Sequence, residues 1–509
     1  MLSGTNTKPE PASTWLGGKY STSVSPFSIP RFICLAVMVL LAAAAAHGQP
    51  TGRNFVFFLV DDLGWRDLAS YGSSFYETPN VDRLVASGMR FTQGYAAGPV
   101  CSPTRASIMT GKYPVRTRIT DYINPQGRNQ PSSWSRNTRL LPAPYQDRLA
   151  LEEVTLAEAL KQSGYATFYA GKWHLGPQGF WPEDQGFDVN KGGTEQGGPY
   201  GGAKYFSPYG NPRLEDGPPG EHLPNRLAEE TVRFIEANRE GRFLAYLSFY
   251  SVHTPLMARK DLEEKYRRKA ELIQFSGPRF VPEGFGEARQ VQDHAIYGGM
   301  VEAMDSAVGK VLDALDRLRL DEKTVVIFTS DNGGLSTSEG LPTANIPLRA
   351  GKGWLYEGGV REPMVIRAPA VTEPGSVCTQ PVMSTDFYPT VLELAGMALR
   401  PNQHQDGVSL VGLLRGLHPE LRSLFWHYPH YSNQGGRPSG AVRDGDWKLI
   451  EWYEDGQLEL YNIRHDLSER YNLASLLPEK ARELLGKLSA WREELGAVQP
   501  SPNPTYRPQ

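Results

Sequence analysis

The chain has 509 residues, of which 40% are hydrophobic and 21% charged, and its formal net charge is −3. This balance excludes a disordered or fibrous chain, and a pI of about 6.4 argues against a strongly basic nucleic-acid binder. Three cysteines, Cys34, Cys101 and Cys378, are too few for a disulfide scaffold.

An apolar run from Phe32 to Ala46 follows Arg31 and ends in small residues. This pattern is typical of a secretory signal peptide, so we interpret residues 1–46 as one. A membrane anchor is the alternative, but the run is shorter than the roughly 20 apolar residues that a spanning helix needs. We therefore expect an exported protein, periplasmic or secreted, with no stable membrane anchor.

Patterns of buried strands alternate with helical patterns along the next 350 or so residues. Apolar runs of strand length lie at Asn54–Val60, Ala166–Ala170, Phe243–Tyr250, Val325–Thr329 and Met364–Arg367. Such continuous apolar strands are what a parallel sheet covered on both faces requires. Helices are predicted after Thr155, which opens a capping box with Glu158, and over about 293–318. The alternation predicts an α/β fold.

Four of these five runs are followed by polar, potentially reactive residues. They are Asp61-Asp62, Lys172 with His174, His253, and Asp331-Asn332. Because ligands of open α/β sheets bind beyond the carboxyl ends of the strands, the four clusters together predict a single site.

Two stretches rich in glycine and proline, at 192–220 and around 276–286, are long insertions. We interpret them either as walls of a pocket or as surface loops without function.

The character of the sequence changes after about Pro401. Short strands are predicted at Leu424–Tyr428, Gly440–Tyr453 and Gln457–Tyr461, followed by a helix from Pro478 to Leu495. This predicts a main domain over 50–400, a smaller α+β unit with an antiparallel sheet over 401–498, and a disordered Pro-rich tail over 499–509.

The aromatic segment from His427 to Tyr431 in the smaller unit has two interpretations. It packs between the domains, or it reaches the rim of the pocket.

The adjacent carboxylates of Asp61 and Asp62 repel each other unless a cation lies between them, which suggests a hard divalent metal. Asp331 and Asn332 follow an equivalent strand and offer two more oxygen ligands. All-oxygen ligation favours Ca²⁺ or Mg²⁺ over zinc. Taken alone, an Asp-Asp pair is more often a solvated turn.

Cys101 begins a predicted helix that Thr110-Gly111 closes. Pro103 suits the first turn, and the free N–H groups there stabilise an anion. Arg105 lies four residues on, and hence on the same helical face as Cys101. The alternative is a buried structural cysteine.

The Cys-x-Pro-x-Arg pattern of Cys101–Gly111 resembles the signature of the type I, formylglycine-dependent sulfatases of the alkaline-phosphatase-like superfamily. Five other segments resemble further motifs of that family, in the same order: Val60–Gly64, Gly171–Gly176, His253–Pro255, Ser330–Gly334, and Gly351–Gly353 with Glu357–Gly359. The resemblance runs from about Asn54 to about Leu495. It implies a large alkaline-phosphatase-like domain with a mostly parallel central sheet flanked by helices.

The resemblance also implies the chemistry of the site. A formylglycine-generating enzyme would oxidise Cys101 to Cα-formylglycine, whose hydrate would attack sulfur. A Ca²⁺ ion, or with less support Mg²⁺, would be held by the modified Cys101 together with Asp61, Asp62, Asp331 and Asn332.

The remaining site residues receive their roles from the same resemblance. Arg105 would steady the hydrate, and Lys172 and Lys352 would neutralise the sulfuryl oxygens. His253 and Lys352 would protonate the leaving alcohol. His174, two residues beyond Lys172 in an extended segment, would take a proton from the second hydroxyl. Taken alone, His174 or His253 would be an ordinary hydrogen-bonded histidine, and Lys172 or Lys352 would be a surface charge.

These observations predict an exported, Ca²⁺-dependent sulfatase that hydrolyses carbohydrate or aryl sulfate esters. One alternative is a phosphomonoesterase or phosphonate hydrolase of the same superfamily, against which the Lys-x-His and Gly-Lys-Gly motifs and the single-metal ligand set argue. Another is a non-catalytic binder of sulfated glycans, which requires Cys101 to stay unmodified.

Overall fold

The structure is a computed structural model that describes residues 52–508 and the isolated residue Lys19. The signal-peptide prediction for residues 1–46 therefore falls outside the described residues except at Lys19, and it stays a prediction. None of the described helices combines the length and the apolar character needed to cross a bilayer.

Strands and helices alternate as the sequence predicts. The described strands, numbered in chain order, are β1 Asn54–Val60, β2 Met89–Tyr95, β3 Leu140–Leu141, β4 Ala166–Gly171, β5 Val189–Lys191, β6 Phe243–Ser248, β7 Phe280–Glu283, β8 Gly286–Arg289, β9 Thr324–Ser330, β10 Arg361–Arg367, β11 Ser376–Cys378, β12 Val382–Met383, β13 Leu424–Tyr428, β14 Ser439–Asp444, β15 Trp447–Trp452, β16 Leu458–Asn462 and β17 Ser501–Pro502. The α-helices are Pro79–Ser87, Cys101–Thr110, Pro114–Thr117, Leu156–Lys161, Leu223–Ala237, Lys260–Glu271, Ala295–Arg317, Glu357–Val360, Phe387–Leu394, Val411–Leu414 and Pro478–Glu494.

The central sheet has the strand order β11-β2-β10-β9-β1-β6-β4-β5, and β12 also pairs with β2. Neighbouring strands are parallel, except that β10 runs antiparallel to both β9 and β2. Phe57 of β1, at the centre, pairs with Ile327 of β9 and Tyr246 of β6. The prediction of an α/β fold with a mostly parallel central sheet is confirmed.

Both faces of the sheet are buried, which explains why its central strands are continuously apolar. Alternate β1 residues point to opposite cores, with Phe57 in one and Phe58 in the other. The long helix Ala295–Arg317 packs in the Phe58 core, whereas Leu156–Lys161 packs in the Phe57 core. The predicted capping box is present, because Glu158 N donates to Thr155 Oγ1 and Thr155 N donates to Glu158 Oε2.

The C-terminal region forms an antiparallel sheet in the order β13-β14-β15-β16. The prediction of one strand over Gly440–Tyr453 is wrong, because this stretch folds as the hairpin β14-β15. Its tight turn contains Gly445, whose φ of 57° lies in the left-handed region that glycine adopts without steric cost. The helix Pro478–Glu494 contributes Leu484 and Leu488 to the core beneath this sheet.

The described end of the chain is not disordered, so the prediction for the tail 499–509 is wrong for residues 499–508. Strand β17 pairs with β3 at a sheet edge, where extended proline-containing segments are tolerated. Asn503 donates to Thr138 O at 2.8 Å, and this bond anchors the segment. Residues 52–508 belong to one compact unit, and the boundary between residues 400 and 401 stays a prediction.

Candidate active site

The carboxyl ends of β1, β4, β6 and β9 lie at one edge of the sheet because these strands are parallel. Asp61-Asp62 follows β1, Lys172 follows β4, His253 lies in the loop after β6, and Asp331-Asn332 follows β9. The four predicted clusters therefore meet in one place. Lys352 reaches the same edge from the other direction, because β10 begins there and its preceding loop carries the Gly-Lys-Gly motif.

Cys101 is the first residue of the buried helix Cys101–Thr110, as the sequence predicts. Its Sγ atom lies 3.2 Å from Lys172 Nζ and 3.6 Å from Asp61 Oδ1. The helix ends at Gly111, whose φ is 68° and whose N–H donates to Ser107 O. Burial raises the pKa of the Cys101 thiol to about 12. An unmodified Cys101 is therefore a neutral thiol and a weak nucleophile at neutral pH.

Arg105 joins three of the strand ends. Its guanidinium donates to Asp331 Oδ2 at 2.8 Å, to Lys172 O at 2.8 Å and to Ser248 Oγ at 2.8 Å. It also lies 3.5 Å from Asp61 Oδ1. Because Arg105 is one helical turn beyond Cys101, these bonds fix the position of the helix start relative to the carboxylates.

The carboxylates and their neighbours offer the oxygen ligands expected of a cation site. Asp61, Asp62 and Cys101 each offer a ligand atom within 4.8 Å of the others. Asn332 Nδ2 donates to Asp62 Oδ1 at 2.7 Å, which leaves Asn332 Oδ1 buried without a hydrogen-bond partner. A buried amide oxygen without a partner is costly unless an ion or water completes it. Together with the carboxylates, this oxygen fits a hard divalent cation.

The three carboxylates are matched by three cations. Lys172 Nζ lies 2.8 and 2.7 Å from the two oxygens of Asp61, and Lys352 Nζ donates to Asp62 Oδ2 at 2.8 Å. A bound dication would therefore give this otherwise balanced cluster a net positive charge, which attracts a sulfate group.

The pKa values of the three carboxyls differ with their neighbours. Burial raises the pKa of Asp61, although Lys172 opposes it. Burial opposes the charge of Asp62, but Lys352, His253 and Lys172 together outweigh burial and lower the pKa of that carboxyl. Burial also opposes the charge of Asp331, and Arg105, Lys172 and Lys352 together outweigh it and lower the pKa.

His174 and His253 border the same cavity. His174 Nε2 lies 2.8 Å from Ile123 O, a geometry that assigns the proton to Nε2 and leaves Nδ1, which has no hydrogen-bond partner, as a free acceptor. The segment is not extended there, because the φ of His174 is 59°. The expectation that Lys172 and His174 share one side of an extended segment is wrong, yet both side chains reach the site.

His253 Nδ1 lies 2.7 Å from Thr254 O, and its Nε2 lies 3.7 Å from Asp62 Oδ2. Burial lowers the pKa of His253 to about 4, and Lys352 adds to this effect. His253 is therefore held neutral beside Lys352.

A cavity of about 370 Å³ opens above Cys101. Its polar and aromatic lining residues are Cys101, Tyr122, Asn124, Gln126, His174, Gln196, Tyr200, His253, Glu339, Lys352, Asn433 and Gln434. A cavity of this size suits a small ligand.

Comparisons with known proteins agree with the site. The family model described as Sulfatase matches residues 53–397, and one described as N-sulphoglucosamine sulphohydrolase, C-terminal, matches residues 350–493. The chain is 34% identical to a sulfatase of Formosa agariphila over 92% of this chain and 94% of that protein. It is 34% identical to human arylsulfatase A over 90% of this chain and 89% of that protein.

The chain belongs to the sulfatase family. It is thus a sulfuric ester hydrolase by family, and the comparisons favour this function over the phosphomonoesterase alternative. Among solved structures, Ps i-CgsB in complex with k-i-k-neocarrahexaose is similar, with a TM-score of 0.70 and 26% identity over 87% of this chain and 93% of that one. The alkaline-phosphatase-like fold implied by the resemblance is likewise shown by its structural neighbours.

Several residues that line the cavity of this sulfatase were not predicted from the sequence. The Gly-rich insertion at 192–220 does wall the pocket, through Gln196 and Tyr200. The insertion around 276–286 forms the hairpin β7-β8 and contributes no lining residue. Glu339 and Gln434, which belongs to the smaller C-terminal unit, also line the cavity. No local pattern distinguishes these two residues from ordinary loop residues.

The aromatic segment from His427 to Tyr431 packs between the two parts of the sulfatase. His430 Nε2 lies 2.8 Å from Thr120 Oγ1, and His427 Nδ1 lies 2.7 Å from Tyr453 OH. Neither histidine lines the cavity. The packing interpretation is therefore the correct one, and the residues that follow this segment, Asn433 and Gln434, reach the rim instead.

Proposed function

We propose that this sulfatase releases inorganic sulfate from carbohydrate sulfate esters, using formylglycine made from Cys101 and a Ca²⁺ ion held by Asp61, Asp62, Asp331 and Asn332. Mg²⁺ is the second choice of ion. The observation that carries the proposal is the position of Cys101 at a helix start, 3.2 Å from Lys172 Nζ and next to buried carboxylates and the unpartnered Asn332 Oδ1.

When present, the formylglycine hydrate supplies an oxygen nucleophile that can be regenerated, and Ca²⁺ supplies Lewis-acid stabilisation of sulfate charge. Lys172 and Lys352 lie on opposite sides of the carboxylate pair, one on Asp61 and the other on Asp62. Both would donate to sulfate oxygens, and Arg105 would hold the hydrate in position through its contacts with Asp331 and Asp61.

Proton transfer falls to three residues in this proposal. The free Nδ1 of His174 is the acceptor for a proton leaving residue 101, because Nε2 is occupied by Ile123 O. Lys352 and His253 both line the cavity, and they would return a proton to the leaving alcohol. Lys352 already carries that proton, whereas His253 would first take one up at Nε2, because its Nδ1 proton faces Thr254 O.

The carbohydrate assignment is supported by the amide and tyrosine side chains of the cavity and by the similar structure solved with a neocarrahexaose. We also propose that the protein is exported to the periplasm or beyond, and that it meets a formylglycine-generating enzyme during maturation. The apolar run Phe32–Ala46 and the Cys-x-Pro-x-Arg signature support these two proposals.

Mass spectrometry of the peptide that contains Cys101 tests the proposal directly. Protein from a host with a formylglycine-generating enzyme should carry an aldehyde at position 101 and release sulfate from 4-nitrophenyl sulfate. Cys378 is also buried but lies in β11, outside the cavity, so it should stay a thiol and serves as the internal control. An unmodified Cys101 in active protein would refute the assigned nucleophile.

A further inference from the structure

The side chains that line the outer wall of the cavity carry fewer charges than the buried carboxylates, lysines and arginine beneath it. Of the described lining residues, one is a permanent cation, Lys352, and one is a carboxylate, Glu339. The other polar side chains of the wall are the amides Asn124, Gln126, Gln196, Asn433 and Gln434 and the phenols Tyr122 and Tyr200. Recognition of several anionic groups at once would call for arginines or further lysines, which this lining lacks.

Glu339 is held in place by residues from two distant regions of the chain. Its Oε2 accepts from Thr254 Oγ1 at 3.2 Å, and its Oε1 accepts from Asn433 Nδ2 at 3.2 Å and from Gln434 Nε2. A carboxylate has about four acceptor positions, so one remains for a ligand. Gln434 is fixed in turn, because its carbonyl oxygen accepts from Thr337 Oγ1 and Trp354 Nε1.

Glu339 is ionised at neutral pH. Burial opposes its charge, but Lys352 and His253 outweigh burial and, with the hydrogen bonds, lower its pKa to about 2. The wall of a site that binds a sulfate anion thus carries a fixed negative charge, which repels any second anion on the substrate and attracts a hydroxyl donor.

We propose that the substrate is a monosulfated saccharide with an otherwise neutral, hydroxylated ring, and that Glu339 is the residue that selects it. This inference rests on the proposed function. The free lone pair of Glu339 accepts a hydrogen bond from a ring hydroxyl, and the amides bind the other hydroxyl groups. Tyr200, whose ring lies 6.4 Å from that of His253 and is 53% exposed, offers an aromatic face for the sugar.

The test compares substrates that differ by one charge. We would measure kcat/KM for the galactose monosulfates and for galactose disulfates that share the cleaved position, with 4-nitrophenyl sulfate as a reference that lacks hydroxyls. The wild type should prefer the monosulfate by about 10-fold or more, which is the scale of one charged hydrogen bond. Glu339→Gln should reduce that ratio by about 10-fold, and Glu339→Asp should retain it.

Glu183→Gln is the matched control. Glu183 does not line the cavity, and its Oε2 accepts from Asn190 Nδ2 at 2.6 Å. Its variant should show the wild-type ratio. A wild type that prefers the disulfates, or a Glu339→Gln variant with an unchanged ratio, would overturn the inference.

A binding measurement separates this inference from the proposed function. Calorimetric titration of the Cys101→Ala variant with the same mono- and disulfates, with and without Glu339→Gln, requires no turnover. If the wild type carries the aldehyde but releases no sulfate from any of the substrates, the proposed function fails. The inference is then judged by binding alone. It holds if the Cys101→Ala variant binds the monosulfate about 10-fold more tightly than the disulfates and if adding Glu339→Gln removes this preference, and it is wrong otherwise.

Discussion

This sulfatase buries two clusters of acidic and basic side chains, and only one of them has the features of an active site. The active-site cluster consists of Asp61, Asp62, Arg105, Lys172, Asp331 and Lys352. The interface cluster, between the central and C-terminal sheets, consists of Glu357, Arg361, Arg443, Lys448 and Glu469. Both clusters are almost completely shielded from solvent, so burial of charge does not by itself identify a catalytic centre.

The clusters differ in what their charges face. Within the interface cluster Lys448 Nζ lies 2.9 Å from Glu357 and 2.9 Å from Glu469, and Glu357 also accepts from Tyr95 OH at 2.7 Å. None of its five residues lines the active-site cavity. Lys352 of the active-site cluster lines that cavity, as does Cys101, whose Sγ lies 3.2 Å from Lys172 Nζ. Access to a ligand is the sign of function here.

The comparison predicts that damage to the active-site cluster removes activity without removing the fold. Cys101→Ala should lower the release of sulfate from 4-nitrophenyl sulfate by roughly 10⁴-fold or more, because the nucleophile is lost. Its melting temperature should stay close to that of the wild type, since alanine fits the site of the thiol. Cys378→Ala, the control, should keep full activity. Wild-type turnover by Cys101→Ala would contradict the assignment.

Damage to the interface cluster should have the opposite result. Lys448→Met leaves Glu357 and Glu469 buried without their shared cation, so the free energy of unfolding should fall by about 3–5 kcal/mol in urea titrations. Lys310→Met removes a half-exposed lysine whose Nζ lies 3.0 Å from Glu229, and it should cost about 0.5 kcal/mol or less. Equal stability of the two variants would show that the interface cluster is not a structural element.

A divalent cation should stabilise the fold through the active-site cluster alone. Calcium at about 100 times its dissociation constant should raise the free energy of unfolding by about 2.7 kcal/mol, because the ion binds only the native state. Thermal unfolding after chelation and after readdition of Ca²⁺ or Mg²⁺ measures the effect and ranks the two ions. The double variant Asp62→Asn/Asn332→Leu should lose the shift, whereas an undiminished shift in that variant would place the ion elsewhere.

The interface cluster should also make the stability of the fold depend on pH. Burial raises the pKa of Glu469 to about 7, although Lys448 opposes it. A raised pKa in the folded state means that this group stabilises the fold below about pH 4.5 and that the contribution is lost as the pH rises through about 7. Glu469→Gln should flatten this slope in urea titrations at several pH values. Parallel slopes for the variant and the wild type would disprove the shift.

Some contributors to the site could not be recognised from local patterns. Strand β2, which leads the chain to Cys101, was not predicted because Arg90, Thr92 and Gln93 interrupt its apolar pattern. The run at Met364–Arg367 has no polar cluster after it, because β10 is antiparallel and its proposed site residue, Lys352, precedes the strand. Strand direction is set by pairing with neighbours and leaves no mark in a single run of residues.

The sequence by itself determined the α/β class and singled out the proposed nucleophile, carboxylates, lysines and histidines, because each belongs to a recognisable local motif at the end of a strand, at the start of a helix or, for Lys352, before a strand. Only the tertiary structure decided which loops complete the pocket. Thr254, Glu339 and Gln434 meet although they come from distant parts of the chain. Such a contact depends on the packing of the C-terminal sheet against the central one, and no short-range pattern encodes it.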